Sequence, residues 1–351
     1  MIKQKIEKKN KKTQKSHGQE GKEATMIKQK MQKKNNKKKN GKKNNKKQKK
    51  INLLYANADG ITGKITSLIS AARATDAHII GLAETKVSKT HPVVEGYEWV
   101  NKPRKNRRGG GVALLIREDI FHLIEVVENL EDHDQEIAWI KFKHANNKVF
   151  IGIFYGPQEK CSNEEAERQY GQITTQINKL KNEGQVILMG DFNAKLPVKK
   201  ENIINQEMTR NGKCMQKMLE ETSTIPVTLQ ADIGMWTRSR KRKDSIERSI
   251  IDYVIMTEAA KNYFSLIHID EVGIHKLKGK EETDHNTIIV ELEIPSSIET
   301  TKTTTTNFKD EAGWEKFNQI LMKENEKKKH LKTTMTMKKQ LTKPSRNHLK
   351  P

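Results

Sequence analysis

A chain of 351 residues, 34% apolar and with a formal charge of +23, has room for one large domain or two small ones. Its cysteines, Cys161 and Cys214, stand far apart, which excludes a disulfide framework or a Cys/His zinc site and fits a reducing compartment. No apolar run approaches the ~18 residues of a membrane span, and the charged N-terminus lacks the apolar centre of a secretory signal.

The charge is concentrated at the ends. Residues 1–50 hold 21 Lys and 3 Glu, residues 296–351 hold 13 basic and 6 acidic side chains, and residues 51–295 hold 33 basic and 35 acidic ones. The middle is a near-neutral body. Segment 1–50 is almost entirely Lys, Asn and Gln, and its opening Met1–Lys5 returns as Met26–Lys30; a start at Met26 would remove one copy. Such a segment cannot bury enough apolar surface to offset roughly 1–2 kcal/mol per ordered residue, so disorder is predicted. In 296–351 we expect a linker around Thr300–Thr306, a helix over Phe308–Lys329 and a disordered end. Basic tails predict contact with DNA or RNA, or a nuclear address, although a merely solvated extension has the same composition.

In the body, Ile51–Asn57 is an apolar strand that ends in the turn signal Asn57–Gly60. Ile65, Leu68, Ile69 and Ala72 follow at helical spacing, and His78–Glu84 is a second apolar strand finishing on a carboxylate. Tyr97 and Trp99 precede the basic run Lys102, Arg104, Lys105, Arg107 and Arg108, a pattern that suits a solvated loop or nucleic-acid contact. Gly109–Gly111 leads into a strand at Val112–Ile116 rather than a helix, so it is a weak phosphate-binding signal. Glu136–Lys143 and Val149–Tyr155 are predicted to pair as a hairpin, with Tyr155 at its end. A helix over 164–182 carries Glu164, Glu165 and Glu167 in its first turns, where the helix dipole favours them.

Val186–Asn193 is the informative stretch. Four apolar residues and Gly190 lead to Asp191 and Asn193. On an extended end, residues i and i+2 point the same way, so a carboxylate and an amide leave one sheet edge together. That arrangement suits holding and orienting a water, although Asp and Asn are also ordinary turn residues. A helix over 211–221 and a basic loop over 235–249 follow. Ser249–Ile255 is a strand with Asp252 in its middle. A carboxylate there is unfavourable without a partner, and His285, in the polar start of Thr283–Val290, is the partner predicted for it. Alternating strands and helices with polar residues at strand ends predict an α/β body of mixed sheets with one active-site edge.

Asn57, Glu84, Tyr155, Asp191-x-Asn193, Asp252 and Asp284-His285, in this order at or within strands, resemble the endonuclease/exonuclease/phosphatase superfamily. Leu82–Thr85, Gly110–Ala113, Tyr155–Pro157, Gly190–Ala194, Trp236–Arg238 and Ile250–Val254 resemble the apurinic-type endonuclease domain of non-LTR (LINE-type) retrotransposons. The likeness covers 51–295. It implies a DNase I-like four-layer α/β sandwich of two packed mixed β-sheets flanked by helices, with basic tails outside it.

The same resemblance implies phosphodiester cleavage with magnesium, manganese being the alternative. Glu84 would be the main metal ligand, with Asn57 nearby and Asp284 as a further one. Asp191 would hold and help deprotonate the attacking water and Asn193 would orient it. His285, held by Asp252, would face the phosphate across from the metal, and Tyr155 would hydrogen-bond a phosphate oxygen. Either His285 or Asp191 could be the general base. The loop carrying Trp236, Thr237, Arg238, Arg240, Lys241 and Arg242 resembles a hairpin that family members place against DNA. Thr283 stands where a Ser is common, and Met235 where a backbone-contacting Thr is frequent. No Asp-Asp dipeptide occurs, so the metal-binding pair of a reverse transcriptase is absent.

The expected activity is a monomeric, nuclear DNA endonuclease that nicks one strand and leaves a 3′-hydroxyl, without membrane contact. The alternatives are a phosphatase or phosphodiesterase of the same superfamily and a catalytically decayed module that binds nucleic acid through its Lys tails.

Overall fold

The structure, a computed structural model, describes residues 48–88, 90–105, 109–128, 130, 135–143, 148–200, 204–279 and 282–295. The basic tails and the helix predicted at 308–329 lie outside the described residues.

In chain order, β1 (Gln48–Asn57) leads through helix α1 (Ile65–Thr75) to β2 (Ile79–Ala83). Then come β3 (Tyr97–Lys102), β4 (Val112–Arg117), the short α2 (Glu118–Phe121), β5 (Ile124–Val126) and β6 (Ile137–Phe142). β7 (Lys148–Tyr155) leads through α3 (Asn163–Lys181) to β8 (Gly184–Asp191). The small pair β9 (Val198–Lys200) and β10 (Ile204–Gln206) precedes α4 (Arg210–Thr222) and β11 (Thr224–Pro226). A hairpin of β12 (Arg238–Lys241) and β13 (Ile246–Ser249) comes next, then β14 (Asp252–Thr257), β15 (Phe264–Ile269) and β16 (Ile288–Pro295).

Two six-stranded sheets result, in the orders β15-β16-β1-β2-β4-β3 and β11-β14-β8-β7-β6-β5. Each is mixed: β1 and β2 are parallel in the first, β7 and β8 in the second, and the other neighbours are antiparallel. Each parallel pair needs a crossover, supplied by α1 and α3.

Side-chain parity gives four layers. Along β1, Ile51, Leu53 and Tyr55 enter the core between the sheets, while Leu54 and Ala56 pack with Leu68, Ala71 and Ala72 of α1. Along β7 and β8, Ile151, Ile153, Tyr155, Ile187 and Met189 face the same inter-sheet core. Phe150, Phe154, Val186 and Leu188 face Tyr170, Ile173 and Ile177 of α3 and Met215 and Met218 of α4. Strands buried on both faces give apolar runs rather than alternation, and each full burial of such a side chain contributes about 1.5–3 kcal/mol.

The helix ends follow local chemistry. Ser162 caps α3 by accepting from Glu165 N at 3.2 Å, and Thr209 caps α4 by accepting from Gly212 N at 3.2 Å. Two sequence expectations change. The basic loop at 235–249 contains the β12–β13 hairpin, whose largely exposed side chains leave no apolar alternation to betray a strand. Asp252 opens β14 instead of lying mid-strand.

Candidate active site

Parity also builds the site. Asn57 follows Tyr55 on the inner face of β1, Asp191 follows Met189 on that of β8, and Asp252 precedes Val254 on that of β14. Tyr155, Asp191 and Asp252 are register partners across β7, β8 and β14. The polar residues therefore collect at one end of the inter-sheet core.

Asn57 joins the two sheets. Its Nδ2 donates to Glu84 Oε1 and to Asp191 Oδ2, each at 3.0 Å. Its Oδ1 accepts from Asp59 N at 3.0 Å. Glu84 lies just past β2 in the left-handed region, φ +49°, as do Asp59, Lys86 and Asn193 around it, with φ from +41° to +54°. Non-glycine residues there cost on the order of 1–3 kcal/mol each and persist where neighbours hold them. The Gly109–Gly111 run does the holding. Thr85 N donates to Gly111 O at 3.1 Å and Lys86 N to Gly110 O at 2.8 Å. Gly110 is at φ +63°, where an L side chain is strained, and a Cβ there would push aside the Arg104 and Glu136 side-chain ends 2.3 Å away, so glycine is favoured. The triplet is a brace for Glu84.

Asp191 is 1% exposed. Its Oδ1 accepts from Asn193 N at 2.8 Å, and Asn193 Nδ2 donates to Gly156 O at 3.2 Å. Fully buried Asn211 donates to Pro157 O at 2.6 Å and Asn193 O at 3.0 Å, joining the two loops. Burial, then the charge of Asp252, pushes the Asp191 carboxyl up to about 7, against the pull of His285.

His285 Nδ1 lies 2.8 Å from Asp252 Oδ2, and its Nε2 lies 3.9 Å from Asp191 Oδ2. Burial pushes the imidazole down, but Asp252 and then Asp191 and Asp284 outweigh it and raise it to about 9. At neutral pH it is an imidazolium whose Nδ1–H donates to Asp252. Asp252, 0% exposed, also accepts from Tyr55 Oη at 2.6 Å, and its backbone N–H donates to Thr237 Oγ1 at 3.1 Å.

Tyr155 is 4% exposed, and its hydroxyl accepts from Gln158 Nε2 at 3.4 Å. Burial, Glu84 and Asp191 raise its pKa, so it stays a neutral phenol. Arg104, ion-paired to Glu136, lies 5.4 Å over its ring. A cleft of about 580 Å³ beside it is lined by Arg104, Lys105, Gln158, Lys160 and Arg168 among others.

The DNA-facing residues named from sequence divide. Arg240, Lys241 and Arg242 are exposed on the hairpin. Trp236 is partly buried, and its N–H donates to Glu271 Oε1 at 2.8 Å. Arg238 grips Asp284 Oδ2 through Nε at 2.9 Å and Nη2 at 2.8 Å. Asp284, expected as a metal ligand, is thus an ion-pair partner of the hairpin. Thr237 is corrected: at 0% exposure it faces no substrate, and its hydroxyl accepts from the backbone of Ile251 and Asp252. Sequence reading missed Tyr55, Asn211 and Thr237's supporting role.

The donor chemistry at the sheet junction fits a hard divalent cation. The carboxylate oxygens of Glu84 and Asp191 converge on the Asn57 Nδ2 and are donors of the kind magnesium or manganese prefers, whereas Asn57 Oδ1 accepts from Asp59 N and would join them only with its amide turned over. Asp191, Asp252 and His285 also offer ligand atoms within 4.8 Å of one another. There, however, Asp252 is engaged by Tyr55 and His285 Nδ1, so Asp252 and His285 form a hydrogen-bonded pair with Asp191 3.9 Å beyond it.

Residues 51–285 match the Endonuclease/Exonuclease/phosphatase family. The chain belongs to this family. Among solved structures with the family's fold, the endonuclease domain of TRAS1, a telomere-specific non-LTR retrotransposon, aligns at TM-score 0.52 and 16% identity over 69% of this chain and 98% of that one. The AP endonuclease LMAP from Leishmania major aligns at TM-score 0.57 and 13% identity over 70% and 88%. The 3′ phosphatase NExo from Neisseria, bound to product DNA hairpin, aligns at 0.53 and 14% over 69% and 99%. At these identities the likeness carries the fold. No curated protein matches the chain in sequence.

Proposed function

We propose that this family member is a magnesium-dependent DNA endonuclease of the non-LTR retrotransposon type, which nicks one strand and leaves a 3′-hydroxyl. The observation that carries the reading is geometric: Asp191, joined through Asn57 to Glu84, lies 3.9 Å from Nε2 of the imidazole that Asp252 holds. A carboxylate poised near neutrality takes a proton from water, and a cation beside it stabilises a phosphorane-like transition state.

In this reading a water held by Asp191 attacks phosphorus and gives its proton to that carboxylate. The P–O3′ bond breaks, and the 3′-oxygen leaves with the bonding pair and takes a proton from solvent to become the hydroxyl. Asn193, whose N–H already fixes Asp191, orients the water. His285 Nε2 and the Tyr155 hydroxyl donate to non-bridging phosphate oxygens. Glu84 and Asn57 would hold magnesium, with manganese as substitute, which supplies neutralisation of charge at the phosphate and leaving oxygen. The basic hairpin, through Arg240, Lys241 and Arg242, would track the DNA backbone. The Lys-rich ends fit nuclear residence and further contact with DNA or RNA.

The test is nicking of supercoiled plasmid by the full chain, with magnesium and with EDTA, beside His285→Ala. Magnesium-dependent open circles that vanish in the variant support the reading. Folded protein that binds the plasmid without nicking it refutes the reading in favour of a decayed binding module.

A further inference from the structure

Asp252 lies wholly inside the inter-sheet core, where an ionised carboxylate must be met on both oxygens. His285 Nδ1 meets Oδ2 at 2.8 Å. Oδ1 is met at 2.6 Å by the hydroxyl of Tyr55, 197 residues away on β1 of the other sheet. Tyr55 is 1% exposed and two residues before Asn57 on the same strand face. Burial, then the charges of Asp252 and Asp191, holds it protonated, so its hydroxyl donates.

A buried tyrosine normally satisfies its hydroxyl on whatever acceptor is nearest. Tyr97, Tyr170 and Tyr253 do so on the backbone carbonyls of Ala77, Phe192 and Ile250. Tyr55 instead donates to the side chain that holds the imidazole. Rotation of a carboxylate about its last bond is soft. A short bond to Oδ1 fixes that rotation and holds the carboxylate edge toward His285 Nδ1, which lies 2.8 Å from Oδ2 and 3.0 Å from Oδ1.

We infer that Tyr55 is a positioning residue of the reaction: its hydroxyl, carried on the first sheet, fixes the Asp252 carboxylate of the second, and Asp252 thereby orients His285. The inference rests on the endonuclease reading above. Active geometry then requires the two sheets to be docked in register, because neither sheet alone contains the Tyr55–Asp252 contact.

The experiment is a double-mutant cycle in the full chain with magnesium, scored by plasmid nicking. Tyr55→Phe should lower kcat about 10-fold, the scale of one hydrogen bond to a charged group, with KM unchanged. In an Asp252→Asn background the same change should move kcat by less than about twofold, because the group it acts through is gone. Tyr97→Phe, which removes a part-buried bond to the Ala77 carbonyl away from the site, should lower the melting temperature and leave kcat alone. If Tyr55→Phe only shifts melting, or slows the Asp252→Asn enzyme as much as the wild type, the inference is overturned. A second measurement does not depend on the variant folding. In the wild-type chain the Tyr55 hydroxyl proton, assigned through its correlation to the Tyr55 ring, should give a low-field, slowly exchanging resonance, and its absence would overturn the inference. An inert wild-type chain would refute the endonuclease reading, and the resonance would then decide by itself whether Tyr55 fixes the Asp252–His285 pair.

Discussion

The two sheets carry the same device with different chemical results. Each has a parallel pair joined through a helix, β1-α1-β2 and β7-α3-β8, and each pair ends in polar groups. The first pair ends in Asn57 and the partly exposed Glu84, which sits on a braced left-handed turn beside solvent. The second ends in Tyr155 and the buried Asp191, flanked by the still more buried Asp252. In the mechanism proposed above, equivalent positions in the two halves would place one carboxylate to meet a cation and another to exchange a proton. Strand ends set where the groups converge, and solvent access sets what each does.

The comparison breaks first at the proton. Asp191→Asn keeps the shape and removes the base, so kcat should fall by 10²–10⁴-fold, the span of general acid–base assistance, and no concentration of magnesium should restore it. Glu84→Gln should act differently. Its nicking should need about 10–100-fold more magnesium, as weakened metal sites typically do, and recover much of the rate at saturation. A magnesium titration of both variants checks this; equal rescue would erase the distinction between the edges.

The second edge should also reveal itself in stability against pH in EDTA. Asp191 is raised from its ordinary 3.8 to about 7, so its contribution is full below pH 3.8 and is lost as pH rises through 7. His285 is raised from 6.5 to about 9, so its contribution is full below pH 6.5 and is lost as pH rises through 9. From neutral to alkaline pH, above the range in which the depressed carboxyls of Asp284 and Asp119 take up protons, the melting temperature should therefore decline. His285→Gln should flatten the alkaline part of that decline and Asp191→Asn the part around neutrality.

The smallest effect belongs to the hairpin, which neither sheet contains. Arg240→Ala and Lys241→Ala should each raise KM a few-fold, leave kcat unchanged and reduce the slope of log K against log salt by about 1. Binding measured from low to moderate salt tests this.

Much of this arrangement was legible in the sequence because strand ends are local. Apolar runs terminated by Asn57, Glu84, Tyr155 and Asp191 announce both the strand and its polar exit, but Asp191 and Asn193 meet through a turn rather than strand parity, with Asn193 at φ +49° and its backbone N–H on Asp191 Oδ1. A carboxylate in the apolar setting of Asp252 demands a partner, and His285 is there. Tyr55 was not legible because its one informative contact crosses from sheet to sheet, and a tyrosine in an apolar strand resembles any core residue. Thr237 was hidden for the opposite reason: basic neighbours suggest a surface, yet its parity at the hairpin's base turns it inward under Asp252. The glycine triplet seemed a weak phosphate motif because its function, bracing Glu84, depends on a loop 25 residues earlier.

The strand order has a consequence for how the chain is made. β16, immediately after His285, lies between β15 and β1. β1 thus leaves the ribosome early, and its antiparallel neighbour is nearly the last described segment to be synthesised. At about 5–20 residues per second the wait is roughly 10–50 s, during which the nascent first sheet exposes an open edge. Insertion of the late strand closes that edge and delivers the imidazole in the same event. On the endonuclease reading proposed above, a chain that has not yet released β16 from the ribosome cannot cut.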